Sequence, residues 1–416
     1  HQDRLAMTGL FRNHSMEKQV EQRAESNGLR KRSLRLLSAI GPGLFIIGYI
    51  IGTGSVTSMA KAGAEYGMSL TWALALSCLC TYVLIVAISR VTIVSGQTLI
   101  RCIRLRFGAG LAIFIIIGLM ATVVTSVIGV MGIATDVVRE WSSLVFGGAG
   151  VSPMATALVF NALLGFLVWR GSHGFFLRGM AVIVALMGFC FLVTMFLVHP
   201  GPIEFIRSLK PAMPDQSTAH LVLAALVGTT MASVCVVTRS YLVAERGWGL
   251  KDLKAENRDA ILSLTLTFLV SAAIMASAAG TMLPAGIPVV HAIDMVRTLE
   301  PLAGRLATAV FMTGIVAAAL SSLFPNYVLG PWLACDYMNV PRKMDHRLVR
   351  LAVVVVASLT FVVPLFGGKP VLVMLASQAI STVVMPLLII LLLVMLNSSR
   401  TVGNYRNPKA LNLGLL

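Results

Sequence analysis

Long apolar runs separated by short polar connectors fill this chain from about residue 37 to residue 396. A run of about 18 apolar residues or more is long enough to cross a bilayer as a helix. Ten such spans are predicted: 37–61, 69–95, 110–136, 152–169, 174–199, 218–245, 261–284, 304–327, 348–366 and 371–396. The first and sixth are not smooth. Small and polar residues interrupt them at Ile51-Gly52-Thr53-Gly54-Ser55 and at Val227-Gly228-Thr229-Thr230-Met231-Ala232-Ser233. Loosened backbone at membrane depth exposes N–H and C=O groups that lipid cannot satisfy, so such a segment must line a cavity or be buried in protein.

A polar, proline-bearing stretch from His199 through Pro211 to His220 divides the ten spans into two sets of five, each opening on an interrupted span. With five spans per set, the second set starts on the opposite side of the membrane, which makes the two inverted repeats. The predicted fold is therefore an all-α polytopic membrane protein of LeuT-like 5+5 architecture, with helices 1 and 6 broken and the substrate held between the breaks. The expected organisation is a tail over 1–35, repeats over 36–200 and 201–397, and a second tail over 398–416.

Composition agrees. The chain is 57% hydrophobic and 12% charged, with mean hydropathy +0.86, against about 25% charged residues in a soluble domain. A net charge of +16 raises the question of nucleic acid, but the basic residues are placed otherwise. They crowd before span one (Arg30, Lys31, Arg32, Arg35) and after spans two, four, six and eight, including Arg101, Arg104, Arg106, Arg246 and Lys251. Alternate loops hold few. That asymmetry is the positive-inside pattern, which predicts cytoplasmic termini in a plasma (cell inner) membrane protein. The expected partners are lipid and a small substrate, with no nucleic acid and no obligate protein partner. The six cysteines have no metal-ligand spacing and read as small apolar packing residues. No phosphate-binding Gly-Lys-Ser/Thr loop and no His-Glu-x-x-His motif occurs, which argues against an enzyme.

Four stretches in order resemble the NRAMP family of divalent-metal transporters: Gly41-Pro42-Gly43, Ala62-Gly63-Ala64-Glu65-Tyr66-Gly67, Ile133-Ala134-Thr135-Asp136, and Ser377-Gln378 with Pro386 beyond. The resemblance implies metal as the transported substrate, with no cofactor. The chain departs from the family at both breaks. Where the family has Asp-Pro-Gly-Asn, this chain has Gly52-Thr53-Gly54-Ser55, so a carboxylate becomes Gly52 and an amide becomes Ser55. Where the family has Met-Pro-His, it has Ala232-Ser233-Val234. Thioether sulfur suits soft metals, and hydroxyl, carbonyl and water oxygens suit Mg, Ca and Mn. These losses predict a roomy, sulfur-free oxygen site for a partly hydrated Mg²⁺ or Mn²⁺, which resembles the NRAMP-related magnesium transporters. The missing titratable groups predict transport without proton coupling.

Each candidate has a plainer alternative. Gly52 and Gly54 mark an unwound segment or a close helix contact. Ser55 and Thr53 offer hydroxyls to the ion or bond back to their own helix. One of Thr229 and Thr230 faces the site. Ala232 contributes space. Gln378 is a metal-site amide or an interhelical hydrogen-bonding group. Ser233 lies on the same pathway. Asp136, with Arg139 and Glu140 nearby, suits a gate or a structural ion pair equally well. Arg239 needs a carboxylate partner or water, and is either part of the pathway or a structural arginine snorkelling near the cytoplasmic end, the second being favoured. Lys61 and Glu65 read as a solvated i,i+4 pair, His220 and His291 as solvent-facing, and Asn326 as easing a bend after Pro325. Two rival functions remain: an amino-acid carrier of the same superfold, and a sensor that kept the fold without transport.

Overall fold

The computed structural model describes residues 51–170, 174–198, 202–216, 218–299, 301, 307–340, 347–402, 412 and 414. The predicted N-terminal tail, Gly41-Pro42-Gly43 and the first part of span one lie outside the described residues. The first described helix, α1 (Thr53–Tyr66), starts in mid-span after Gly52, whose backbone is extended, and stops at Gly67 with φ 61°. Then come α2 (Thr71–Ser95), the short amphipathic α3 (Leu99–Phe107), α4 (Ala109–Phe146), α5 (Pro153–Arg170), α6 (Gly174–Val198) and the brief α7 (Pro202–Ser208). Among the described residues, α8 (Ala219–Thr230) and α9 (Ser233–Arg246) form the sixth span, and α10 (Leu253–Thr281) the seventh. A 3-10 segment at Ala292–Leu299 precedes α11 (Ala307–Met338). The remainder is α12 (Arg347–Leu359), α13 (Val362–Phe366), α14 (Pro370–Leu396) and α15 (Ser399–Val402).

Seven segments of the described chain are long and apolar enough to cross a membrane, and two shorter apolar helices accompany them. Their outward positions carry Phe114, Val159, Phe189, Phe196 and Val383, all exposed. Such side chains suit hydrocarbon rather than water. Three helices run past their predicted ends. α4 has 38 residues, about 57 Å at 1.5 Å per residue, and carries Asp136 and Glu140 near its far end. α10 begins eight residues before the predicted span. α11 continues through Pro325 and Pro331, and beside the first of these Asn326 Nδ2 donates to Ser322 O at 2.9 Å.

The sixth span is broken where the sequence predicts. Met231 and Ala232 are not helical, and Ala232 has φ −36° and ψ 104°. The freed groups are taken up: Thr81 Oγ1 donates to Thr230 O at 3.2 Å, and the Ser233 N–H donates to Ser381 Oγ at 2.9 Å. Around this break α8 packs on α1 and α14, α14 on α4, and α11 on α4. The α8–α14 contact is very close. A Cβ on Gly228 would lie 1.8 Å from the carbonyl oxygen of Gln378, so no larger residue fits.

Two expectations about charge are corrected here. Arg239 does not snorkel. It is fully buried, donating from Nη1 to Asp259 Oδ2 at 2.7 Å, from Nη2 to Glu256 Oε1 at 3.1 Å and from Nε to Ser89 Oγ at 3.1 Å. Two carboxylates on the first turns of α10 give it a better partner than the water it would otherwise have to reach. Lys61 and Glu65 do pair, but with side chains only 16% and 19% exposed. Lys61 also donates to Val289 O at 3.2 Å, which makes the pair a half-buried tie between segments.

Candidate functional site

The two interruptions meet. Ser55, in the first turn of α1, and Thr229, in the last turn of α8, share a hydrogen bond of 3.3 Å between buried hydroxyls 174 residues apart. Beside this contact lies a cavity of about 30 Å³. A single water needs roughly 10–15 Å³ measured in this way, so the space suits about two waters, or a small ion with part of its shell.

Four groups of residues make the wall. Gly52 and Gly54 come from the start of α1, and Thr229, Ala232 and Val234 flank the second break. Thr122, Ser126 and Val130 lie one turn apart on α4, and Ser322 and Asn326 one turn apart on α11. Met374, Ser377, Gln378 and Ser381 repeat at three- and four-residue steps on α14, which places them on one helix face. Among these described residues the wall has hydroxyls, two amides, backbone and one thioether, with no carboxylate, imidazole, ammonium or guanidinium. Ser322 Oγ is buried with no hydrogen-bond partner among the described residues. A buried hydroxyl at a cavity wall with no protein partner is placed to serve a bound water or ion.

Helix ends add fixed dipoles. The C-terminal end of α8 turns partial negative charge toward the breaks, while the N-terminal ends of α1 and α9 turn partial positive charge the same way.

The sequence-predicted residues divide. Gly52, Thr229, Ala232 and Gln378 line the cavity. Ser55 stands behind it, holding Thr229. Thr230 turns away, its hydroxyl donating to Leu226 O at 2.9 Å. Ser233 pairs with Ser381, and Thr53 is buried, with no hydrogen-bond partner for its hydroxyl among the described residues. Arg239 belongs to the ion triad that ties α9 to Glu256 and Asp259 of α10. Asp136 lies elsewhere on α4, where its Oδ2 is 3.8 Å from His291 Nδ1, and Glu140 Oε1 is 3.7 Å from the same nitrogen. His291 is 54% exposed, so it keeps its predicted contact with solvent while facing two carboxylates.

Two readings of the site change. The wall is not free of sulfur-bearing residues, because Met374 is among those that line it. Nor do the small residues simply leave open space. Cβ atoms built on Gly54 would lie 2.7 Å from both Met374 Cε and Gln378 Nε2, so those side chains occupy the room that the glycine vacates. Thr122, Ser126, Ser322, Asn326 and Met374 join the site without a motif in the sequence to mark them. Their signal is a polar stripe at helical spacing inside otherwise apolar spans, and it requires knowing which helices face each other.

Residues 43–416 match the model of the "Natural resistance-associated macrophage protein-like" (Nramp) family. The chain is 24% identical over 381 residues to the divalent metal cation transporter MntH of Granulibacter bethesdensis, covering 89% of this chain and 82% of that protein. It is 25% identical over 404 residues to the MntH of Verminephrobacter eiseniae, covering 92% and 87%. Among solved structures, a variant of the Eremococcus coleocola manganese transporter superposes with a TM-score of 0.74 at 15% identity, over 91% of this chain and 83% of that one. Mhp1, a nucleobase-cation-symport-1 family transporter, superposes at 0.57 with 16% identity over 85% and 77%, and at these identities both likenesses concern the fold. With the family model matched along nearly the whole length, the chain belongs to the Nramp family and has its broken-helix transporter fold.

Proposed function

We propose that this protein is a multi-pass inner-membrane transporter of divalent metal cations, and that it carries Mg²⁺ and Mn²⁺, partly hydrated, without moving protons in exchange. The observation that carries the reading is the convergence of neutral oxygen donors on an ion-sized cavity at the junction of two helix breaks. Hydroxyls, amide carbonyls and retained waters are the ligands that hard divalent ions accept. Among the described residues the wall has no titratable side chain, and so no group to load and unload a proton. In support, the MntH relatives are named divalent metal cation transporters. The two repeats, 36–200 and 201–397, would rock about the fixed site, with both tails in the cytoplasm.

One observation favours a second reading. With no carboxylate facing the cavity among the described residues and two helix N-termini directed at it, an amino acid's carboxylate would be better matched than a dication. The size of the cavity weighs against that cargo, since about 30 Å³ does not hold an amino acid in this conformation. Uptake by the purified chain in proteoliposomes separates the two. The expected result is Mn²⁺ and Mg²⁺ accumulation above protein-free vesicles, with no acidification of the lumen. Flux of amino acids with no metal flux would replace the proposal by the second reading.

A further inference from the structure

Away from the cavity, Asp136 and Glu140 stand four apart on one face of α4, and His291 reaches them from the connector that leads into the 3-10 segment. One oxygen from each carboxylate and one ring nitrogen all lie within 4.8 Å of one another. His291 Nδ1 is 3.8 Å from Asp136 Oδ2 and 3.7 Å from Glu140 Oε1, too far for a hydrogen bond to either. Ligand atoms held at about 2.0–2.1 Å by a tetrahedral Zn²⁺ are about 3.3 Å apart, so a small inward movement of the half-exposed imidazole brings the three into place.

Two features of the trio call for a cation. Asp136 Oδ2 is buried and accepts no hydrogen bond among the described residues, which is costly for a carboxylate oxygen. Like charges four apart on a helix also repel. The charged neighbours described around them are Asp294 and Arg139, which leaves three carboxylates to one guanidinium. Glu140 is already oriented: its Oε2 accepts from the Ile293 N–H at 3.2 Å, and Oε1 is left facing the histidine.

We propose that Asp136, Glu140 and His291 form a second, regulatory metal site that takes Zn²⁺, ties the connector to α4 and slows transport. Imidazole with carboxylate is a donor set that Zn²⁺ accepts, whereas Mg²⁺ and Mn²⁺ favour oxygen alone. The tie falls at a junction. Lys61 of α1 donates to Val289 O of the same connector at 3.2 Å, and the 3-10 segment packs on α1, α4, α6, α10 and α11. A metal bond from α4 to this junction resists the relative movement of helices that alternating access requires. The slowing of transport rests on the metal-transport reading above; the binding of zinc does not.

The test pairs Zn²⁺ equilibrium dialysis of the detergent-purified chain with Mn²⁺ uptake into proteoliposomes, for the unaltered chain, His291→Ala and Glu140→Gln. His291 is 54% exposed, so its loss leaves the fold intact, and glutamine still accepts from the Ile293 N–H. The expected result is a zinc affinity at least about tenfold lower in both variants. Zinc outside the vesicles should slow Mn²⁺ uptake by the unaltered chain at a concentration that leaves His291→Ala unaffected. Equal zinc binding by all three chains overturns the site, and zinc binding that depends on His291 while uptake ignores zinc overturns the regulatory role. If the unaltered chain moves no metal yet its zinc binding depends on His291, the transport reading falls and the site stands.

Discussion

Two side chains at the breaks show how differently residues of one site can act. Gln378 lines the cavity with an amide, whereas Ser55 stands behind Thr229, whose hydroxyl it holds at 3.3 Å. Gln378→Ala should therefore lower Mn²⁺ uptake by about tenfold, the worth of one hydrogen-bond-scale ligand of about 1.4 kcal/mol. Ser55→Ala should cost only about twofold to fivefold, because Thr229 remains and merely loses its orienting partner. Initial rates at subsaturating Mn²⁺ measure both, and equal effects would place Ser55 among the ligands. Gly52, Thr229, Ala232 and Gln378 were legible in the sequence because each breaks an apolar pattern or matches a family position. Ser126 and Ser322 were not. A lone serine in a membrane helix ordinarily bonds back to its own backbone, and only the packing of α4 and α11 against the breaks shows that these two face inward.

Among the helices, the buried ion triad does for α9 what hydrogen bonding does for the breaks. Arg239 on α9 reaches Glu256 and Asp259, which stand three apart on the first turns of α10. The predicted seventh span begins at 261, after both carboxylates, so the apolar pattern does not show which acids meet the arginine's need for a carboxylate or water. Charged residues lower the apparent hydropathy of a helix even where they are fully paired inside it. Removing the guanidinium leaves two buried carboxylates uncompensated, at a cost of about 3–5 kcal/mol. Arg239→Met should accordingly lower the unfolding temperature of the detergent-solubilised protein by several degrees. Arg239→Met combined with Glu256→Gln and Asp259→Asn should recover part of that loss. No recovery in the triple variant would mean that the arginine's own packing, including its approach to the Trp248 ring at 5.6 Å, outweighs its charge.

At the scale of the molecule, the broken-helix fold was legible from span count, span length and two interruptions, because hydrophobic length and backbone satisfaction dominate in lipid. Less legible was how far the helices continue past the apolar runs, since hydropathy reports the slab and not the helix. The absence of titratable side chains from the described cavity wall has an energetic corollary. A dication crossing 100 mV gains roughly 4.6 kcal/mol, twice the single-charge value, which suffices to drive uptake without a second ion. Mn²⁺ accumulation should therefore rise steeply when vesicles are made negative inside with potassium and valinomycin, and should change little between external pH 6 and 8. An imposed pH gradient that drives accumulation at zero potential would end the uncoupled reading.

The backbone of Gln378 leaves no room for even a methyl group on Gly228. Two rods clasped that tightly behave as a single lever, and the amide on one keeps its station beside the hydroxyl on the other through any swing that preserves the clasp. Whatever door admits the cargo must then hang on the opposite wall, where Gly54 of α1 meets the pliable side-chain ends of Met374 and Gln378 rather than bare main chain.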